Sequence, residues 1–208
     1  MEKKGIKHII FDFGGVLLPI DPQRTIDRFR HAGVKNIQAL YSEQAQHGLF
    51  DKLECGMLSP EEFYSELRKL GLDLSDNQIE EAWNELLLEF PTDKKEDLAL
   101  LRKDYSLYLL SNTNEIHYIR YADEFQKKFN EPLRAQFNKA YFSFEVGMRK
   151  PNKDIYEYVL GNSGLKAEET LFVDDRAENL EAPEALGMHT FLWNPESKER
   201  LTTVVNGI

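Results

Sequence analysis

Five short apolar runs punctuate the chain: "KHIIFDF" at 7–13, "YSLYLLSN" at 105–112, "KAYFSF" at 139–144, "TLFVDD" at 170–175 and "HTFLW" at 189–193. Each is too short for a stable helix and is rich in β-branched or aromatic residues. That pattern predicts strands buried on both faces, as in a parallel sheet. Between the runs stand helically spaced stretches, notably "KKEDLALLRKD" at 94–104 and "KDIYEYVLGNSG" at 153–164, the latter closing in the Asn and Gly that commonly stop helices. Alternating strands and helices predict a doubly wound α/β domain.

The alternation fails from Asp21 to Phe90, where only helical patterns occur: "DPQRTIDRFRHAG", "NIQALYSEQ", "SPEEFYSELRKLG" and "SDNQIEEAWNELLLEF". Ser59, Pro60 and Glu62 read as N-cap, N1 and N3 of a helix, and Ser75 opens the next in the same manner. The expected organisation is therefore a discontinuous core, residues 1–20 and 91–208, with an all-helical cap of residues 21–90 inserted after the first strand. "EFPTDKK" returns the chain to the core. No internal repeat or low-complexity segment is visible.

Composition narrows the function. With 208 residues, 41% hydrophobic and 30% charged, the chain can bury a sizeable core. A formal charge of -10 argues against nucleic acid or an anionic membrane as partner, since phosphate backbones demand clustered Lys and Arg. The apolar start of the chain imitates a signal peptide, but Asp12 interrupts it and no small-residue cleavage pattern follows. No run reaches the length of a membrane span. The single Cys55 and five histidines without metal-ligand spacing offer neither a disulfide nor a zinc site. The expectation is a cytoplasmic protein, monomeric or a small homo-oligomer.

Four features fall where such a sheet exposes its active edge, past the carboxyl ends of strands. Asp12 follows "HIIF"; a carboxylate there can attack phosphorus, and Gly14 and Gly15 let backbone approach a phosphate, although a plain turn has the same look. Ser111, Asn112 and Thr113 end a strand with a hydroxyl and exposed amides, which make an anion nest or a helix cap. Lys150 precedes Pro151, which restricts the lysine's backbone and starts a helix; the neighbouring Arg149 reads as part of a solvated basic loop. Asp174 and Asp175 are adjacent carboxylates that repel unless a cation lies beside them, and magnesium favours such a set.

Together the four segments resemble motifs I to IV of the haloacid dehalogenase-like superfamily, over essentially the whole chain and including a helical cap after motif I. "LLSNTN", "GMRKP" and "FVDD…N…A..LG" are similar to the bacterial α-D-glucose-1-phosphate phosphatase branch. The resemblance implies Asp12 as nucleophile, Ser111 with neighbouring amides as phosphate cradle, and Lys150 as the neutralising cation. It implies Mg2+ held by Asp12, the carbonyl of Gly14 and Asp175, with Asp174 helping directly or through water and Asn179 supporting metal-bound water.

The resemblance also exposes a departure, because the acid that usually stands two residues after the nucleophile is here Gly14. Its loss removes acid-base help worth about 10²–10⁴ in rate. A leaving group more acidic than a simple alcohol would need that help less. The gap counts against a phosphoglucomutase, and the paired acids count against a dehalogenase. Asp21 before Pro22 reads as a helix cap rather than a substitute acid. In the cap, Glu54 is a candidate acceptor for sugar hydroxyls and Arg24 a candidate phosphate contact, each with an equally plain surface reading. Trp83 and Tyr41 read as cap core. The expected function is a magnesium-dependent phosphomonoester hydrolase acting through an aspartyl-phosphate on a small phosphorylated metabolite such as α-D-glucose 1-phosphate. The alternative is a catalytically silent phosphometabolite-binding module.

Overall fold

A computed structural model describes residues 5–34, 46–69 and 73–207. Its centre is a sheet of five parallel strands: β1 (His8–Phe11), β2 (Ser106–Ser111), β3 (Lys139–Phe142), β4 (Thr170–Asp174) and β5 (His189–Leu192). They lie in the order β3-β2-β1-β4-β5. Phe11 pairs with Leu109 on one side and Val173 on the other. Because β2 and β3 lie to one side of β1 while β4 and β5 lie to the other, the strand order reverses beside β1. The crevice at such a switch point lies outside the carboxyl ends of the strands, where Asp12 and Asp174 stand.

Each face of the sheet is buried by its own cluster. Ile9, Phe11, Leu107, Leu109, Leu171 and Val173 point to one side, and Ile10, Tyr108, Leu110 and Phe172 to the other. This two-sided burial is why the strands read as continuous apolar runs. β3 is shorter than its apolar run, because Ser143 turns the chain into a four-residue helix and donates its hydroxyl to the Thr113 carbonyl at 2.9 Å.

Between β1 and β2 the described chain is helical: α1 (Pro22–His31), a π-helical turn at Gln46–Phe50, α2 (Asp51–Glu54), α3 (Pro60–Lys69) and α4 (Asp76–Asn84). The expected helix over "NIQALYSEQ" and the placement of Tyr41 lie outside the described residues. Local chemistry fixes the helix starts. Ser59 and Glu62 exchange side-chain and backbone hydrogen bonds of 3.2 and 2.8 Å, and Ser75 with Gln78 forms a second capping box. Asp21 accepts from the Gln23 amide at 3.0 Å with Pro22 at the first helical position, so its carboxylate serves as a cap. Phe29, Leu53, Phe63, Leu67, Ile79 and Trp83 form a separate apolar cluster for these helices, joined by Ile116 from the core. The two connections run side by side: the Asp21 amide donates to Leu86 at 2.9 Å and the Leu88 amide to Pro19 at 3.2 Å.

After the cap come α5 (Thr92–Leu101), α6 (Glu115–Phe129), α7 (Ser143–Val146), α8 (Lys153–Ser163), α9 (Glu181–Ala185) and α10 (Leu201–Gly207). α8 ends at Gly164 in the left-handed conformation, as its closing Asn-Ser-Gly suggests. Among the described residues, no helix is long and apolar enough to cross a membrane.

Candidate active site

The carboxyl ends of β1, β2 and β4 form the floor of a cleft of about 520 Å³ whose roof is the cap. Gly14, Ser111, Asn112, Thr113, Lys150 and Asn179 contribute to its core side. Phe50, Leu53, Glu54 and Trp83 contribute from the cap. At the floor, the Lys150 ammonium donates to Asp12 at 2.6 Å and to Asp174 at 2.7 Å. All three side chains are buried. Burial is the largest influence on Asp12 and pushes its carboxyl up to about 7, against the pull of the lysine. The two carboxylates in turn hold the Lys150 ammonium up, overcoming its own desolvation.

The rest of the floor is arranged to hold this trio. Asp174 spends its second oxygen on the Arg176 amide and the Asn179 side chain, both at 2.9 Å. Its hydrogen-bonding capacity is thereby largely taken up inside the protein. Asp175 is half-buried, and its carboxyl is raised by desolvation and by the Asp174 charge. Oxygens of Asp12, Asp174 and Asp175 come within 4.8 Å of one another, a group able to hold a metal ion. An all-oxygen set suits a hard divalent cation.

The glycine pair now divides into two different roles. Gly15 has φ +82°, and a Cβ there would stand 2.3 Å from Asp175 Oδ2. The missing side chain is what lets the Asp175 carboxylate lie against the loop. Gly15 is not among the residues facing the cleft, whereas Gly14 is. A Cβ on Gly14 would meet Ile20 Cδ1 at 3.3 Å, at the chain's crossing into the cap.

Several expected residues are placed otherwise than the sequence suggests. Asn112 lines the cleft but commits its side chain to Lys150: it accepts from the Lys150 amide and donates to the Lys150 carbonyl, both at 2.9 Å, and so pins that residue's backbone. The Thr113 amide is taken by Ser143 Oγ at 2.9 Å, which removes it from any anion nest. Ser111 lines the cleft at the end of β2. Arg24 does not line the cleft; it pairs with Glu85 at 2.6 Å and borders a second cavity with Leu87, Phe90 and Tyr121. Arg149 is not a solvated loop residue. It crosses to the cap, hydrogen-bonding Asp51 and pairing with Glu54 at 2.9 Å. Glu54 is thereby committed to a cation, although burial raises its carboxyl. Next to it, a Cβ on Gly56 would lie 2.2 Å from the Phe144 carbonyl, so the cap turn rests directly on core backbone.

Sequence patterns missed one cluster that borders the cleft. His117, in the first turn of α6, lies against Asn84 and Trp83 of the cap and lines the cleft. Its spacing from Asn114, the α6 cap, was the only local sign available.

A buried carboxylate-lysine-carboxylate trio thus stands at the switch point of a parallel sheet, roofed by an inserted helical cap. Residues 6–187 match the haloacid dehalogenase-like hydrolase family, and the chain belongs to it. It is 34% identical to the D-ribitol-5-phosphate phosphatase of Bacteroides thetaiotaomicron over 97% of this chain and 99% of that protein. It is also similar to a HAD-family enzyme of Bacteroides thetaiotaomicron solved with magnesium and inorganic phosphate, at 35% identity and TM-score 0.87, covering 94% of this chain and 98% of that one. A third relative is the sesquiterpene phosphatase astK of Aspergillus oryzae, 27% identical over 88% of this chain and 87% of that protein.

Proposed function

We propose that the protein is a phosphomonoester hydrolase whose nucleophile is Asp12 and whose substrate is a small phosphorylated polyol or sugar. The observation that carries this reading is the Lys150 ammonium, from a residue that lines the cleft, held between Asp12 and Asp174 at 2.6 and 2.7 Å. A binding module needs cationic contacts for phosphate, but it does not need a buried carboxylate at the point of attack. The polyol class is supported by the resemblance to a ribitol-5-phosphate phosphatase over nearly the whole chain. The α-D-glucose 1-phosphate suggested by motif resemblance has no such support.

In this reading an Asp12 oxygen attacks phosphorus, the ester P–O bond breaks, and an aspartyl-phosphate forms as the alkoxide leaves. Water then cleaves the acyl phosphate and returns Asp12 as a carboxylate. Lys150 offsets the charge of the phosphoryl oxygens, and Ser111 donates a hydrogen bond to one of them. Asp174 and Asn112 act through Lys150, one on its ammonium and the other on its backbone. With glycine at position 14, the family's usual acid is missing from its place beside Asp12, and the alkoxide takes its proton from water admitted to the cleft. Asp12, Asp175 and the Gly14 carbonyl would hold magnesium, which supplies further charge neutralisation at the phosphoryl group. The occupied hydrogen bonds of Asp174 favour Asp175 as the direct ligand.

The test is phosphate release from ribitol 5-phosphate, other polyol and sugar phosphates and p-nitrophenyl phosphate, with magnesium or chelator, beside Asp12→Asn. Turnover requiring both magnesium and Asp12 is expected, with a polyol ester preferred. Hydrolysis that survives in Asp12→Asn would remove the nucleophile assignment, and no hydrolysis at all would leave a binding module.

A further inference from the structure

We propose that His117 and Asn84 form a fixed-tautomer hydroxyl reader, in which His117 Nε2 accepts a hydrogen bond from a hydroxyl of the substrate's leaving group. The inference rests on the phosphatase reading and adds a specificity residue to it.

His117 Nδ1 lies 2.8 Å from Asn84 Oδ1. A carbonyl oxygen only accepts, so Nδ1 carries the proton and Nε2 the lone pair. Trp83 stacks on the imidazole at 5.3 Å with an interplanar angle of 8°, which fixes the ring plane. Nε2 has no hydrogen-bond partner among the described residues, and His117 borders the cleft. The fold therefore presents one uncommitted acceptor to whatever the cleft encloses.

The chemistry of that acceptor selects its partner. A lone pair repels the oxygens of a phosphate dianion, so the phosphoryl group cannot sit on it. It requires an O–H donor, which a polyol carries on several carbons. His117 is also unsuited to replace the acid missing at Gly14. Burial pushes the imidazole down to about 3, so it is neutral near pH 7, and its one proton is committed to Asn84. Two of the three residues involved, Trp83 and Asn84, belong to the cap helix α4. The reader is thus assembled only with the cap against the core.

The test compares wild type, His117→Phe and His117→Gln on ribitol 5-phosphate and on p-nitrophenyl phosphate, which has no hydroxyl to read. His117→Phe keeps a flat ring against Trp83 and loses the acceptor. A buried hydroxyl left without a partner costs about 5- to 150-fold in kcat/KM, so that loss is expected on the polyol ester, with p-nitrophenyl phosphate changed by far less. His117→Gln, whose amide oxygen accepts, should recover part of the polyol activity. Equal losses on both esters in His117→Phe, or no loss on the polyol ester, would overturn the assignment and reduce His117 to a packing residue between cap and core. Failure of the polyol reading itself would show separately, as wild-type protein that cleaves p-nitrophenyl phosphate and no polyol ester; the hydroxyl reader would fall with it. As a readout independent of turnover, ribitol added to the intact protein with magnesium and inorganic phosphate should move the Nε2 nitrogen resonance of His117. An unmoved resonance in protein that hydrolyses ribitol 5-phosphate would also overturn it.

Discussion

Replacing Lys150 with methionine tests the centre of the site most directly, because the side-chain length is nearly kept and only the charge is removed. At 2.6 and 2.7 Å and an effective dielectric of about 20, Coulomb's law gives on the order of 6 kcal/mol for each contact. Desolvation of three buried charges cancels most of this, and breaking a buried pair by removing one partner typically costs about 3–5 kcal/mol. For a chain of this size that is a fall in Tm of about 6–20 °C in chelator. Magnesium at about 100 times its Kd should return about 2.7 kcal/mol, since the ion restores positive charge beside Asp12. Activity should not return with stability: if Lys150 faces the phosphoryl oxygens as proposed, its loss costs at least about 10²–10³ in kcat. Thermal denaturation with and without magnesium, beside single-turnover hydrolysis, measures both. A variant as stable as wild type in chelator would refute the claim that Lys150 holds the two carboxylates together.

Three further outcomes follow from the same geometry. Asp12 has a folded-state pKa of about 7 in the metal-free protein, above the ordinary carboxylate value of about 3.9. The stability it contributes is present below that unfolded value and lost as pH rises through about 7. Protons compete with metal at this carboxylate, so magnesium affinity by calorimetry should climb up to tenfold per pH unit below about pH 7 and then level, and a flat profile would contradict the shift. Gly15→Ala should weaken magnesium binding at least about tenfold, because the new methyl occupies the place of Asp175 Oδ2 and φ is +82°; unchanged affinity would show that Asp175 does not hold the ion. Asp97→Ala should lower stability by about 1–3 kcal/mol without changing kcat, since this buried carboxylate accepts from Arg200, the Leu201 amide and Thr202 at the start of α10; a loss of activity at unchanged Tm would contradict that role.

The sheet was legible because each strand is buried on both sides, which leaves an apolar run that needs no partner to be recognised. The capping boxes at Ser59 and Ser75 were legible for a different reason, since all of their chemistry lies within three residues. Asp12, Ser111, Lys150 and Asp174 could be placed at one sheet edge from the ends of their runs. What the sequence could not supply was pairing at a distance. Arg149 meets Asp51 across 98 positions, His117 meets Asn84 across 33, and the Leu201 amide meets Asp97 across 104. None of these leaves a local signature, so Arg149 looked like a solvated loop residue. Arg24 failed for a geometric reason: the helical face it occupies, a property of how α1 packs, turns it toward Glu85. Asn112 shows a subtler limit, because its position beside the phosphate site was readable while its double bond to the Lys150 backbone was not.

Arg149 and Lys150 share one peptide unit, yet one side chain grips the cap and the other grips Asp12. Roof and floor are therefore fastened at the same link of the chain. Any swing of the roof that breaks the grip on Asp51 and Glu54 pulls on the residue next to the site's buried ammonium, while Asn112 resists from the other side. The hold of the cap on the core and the position of the buried ammonium thus depend on adjacent residues of one loop.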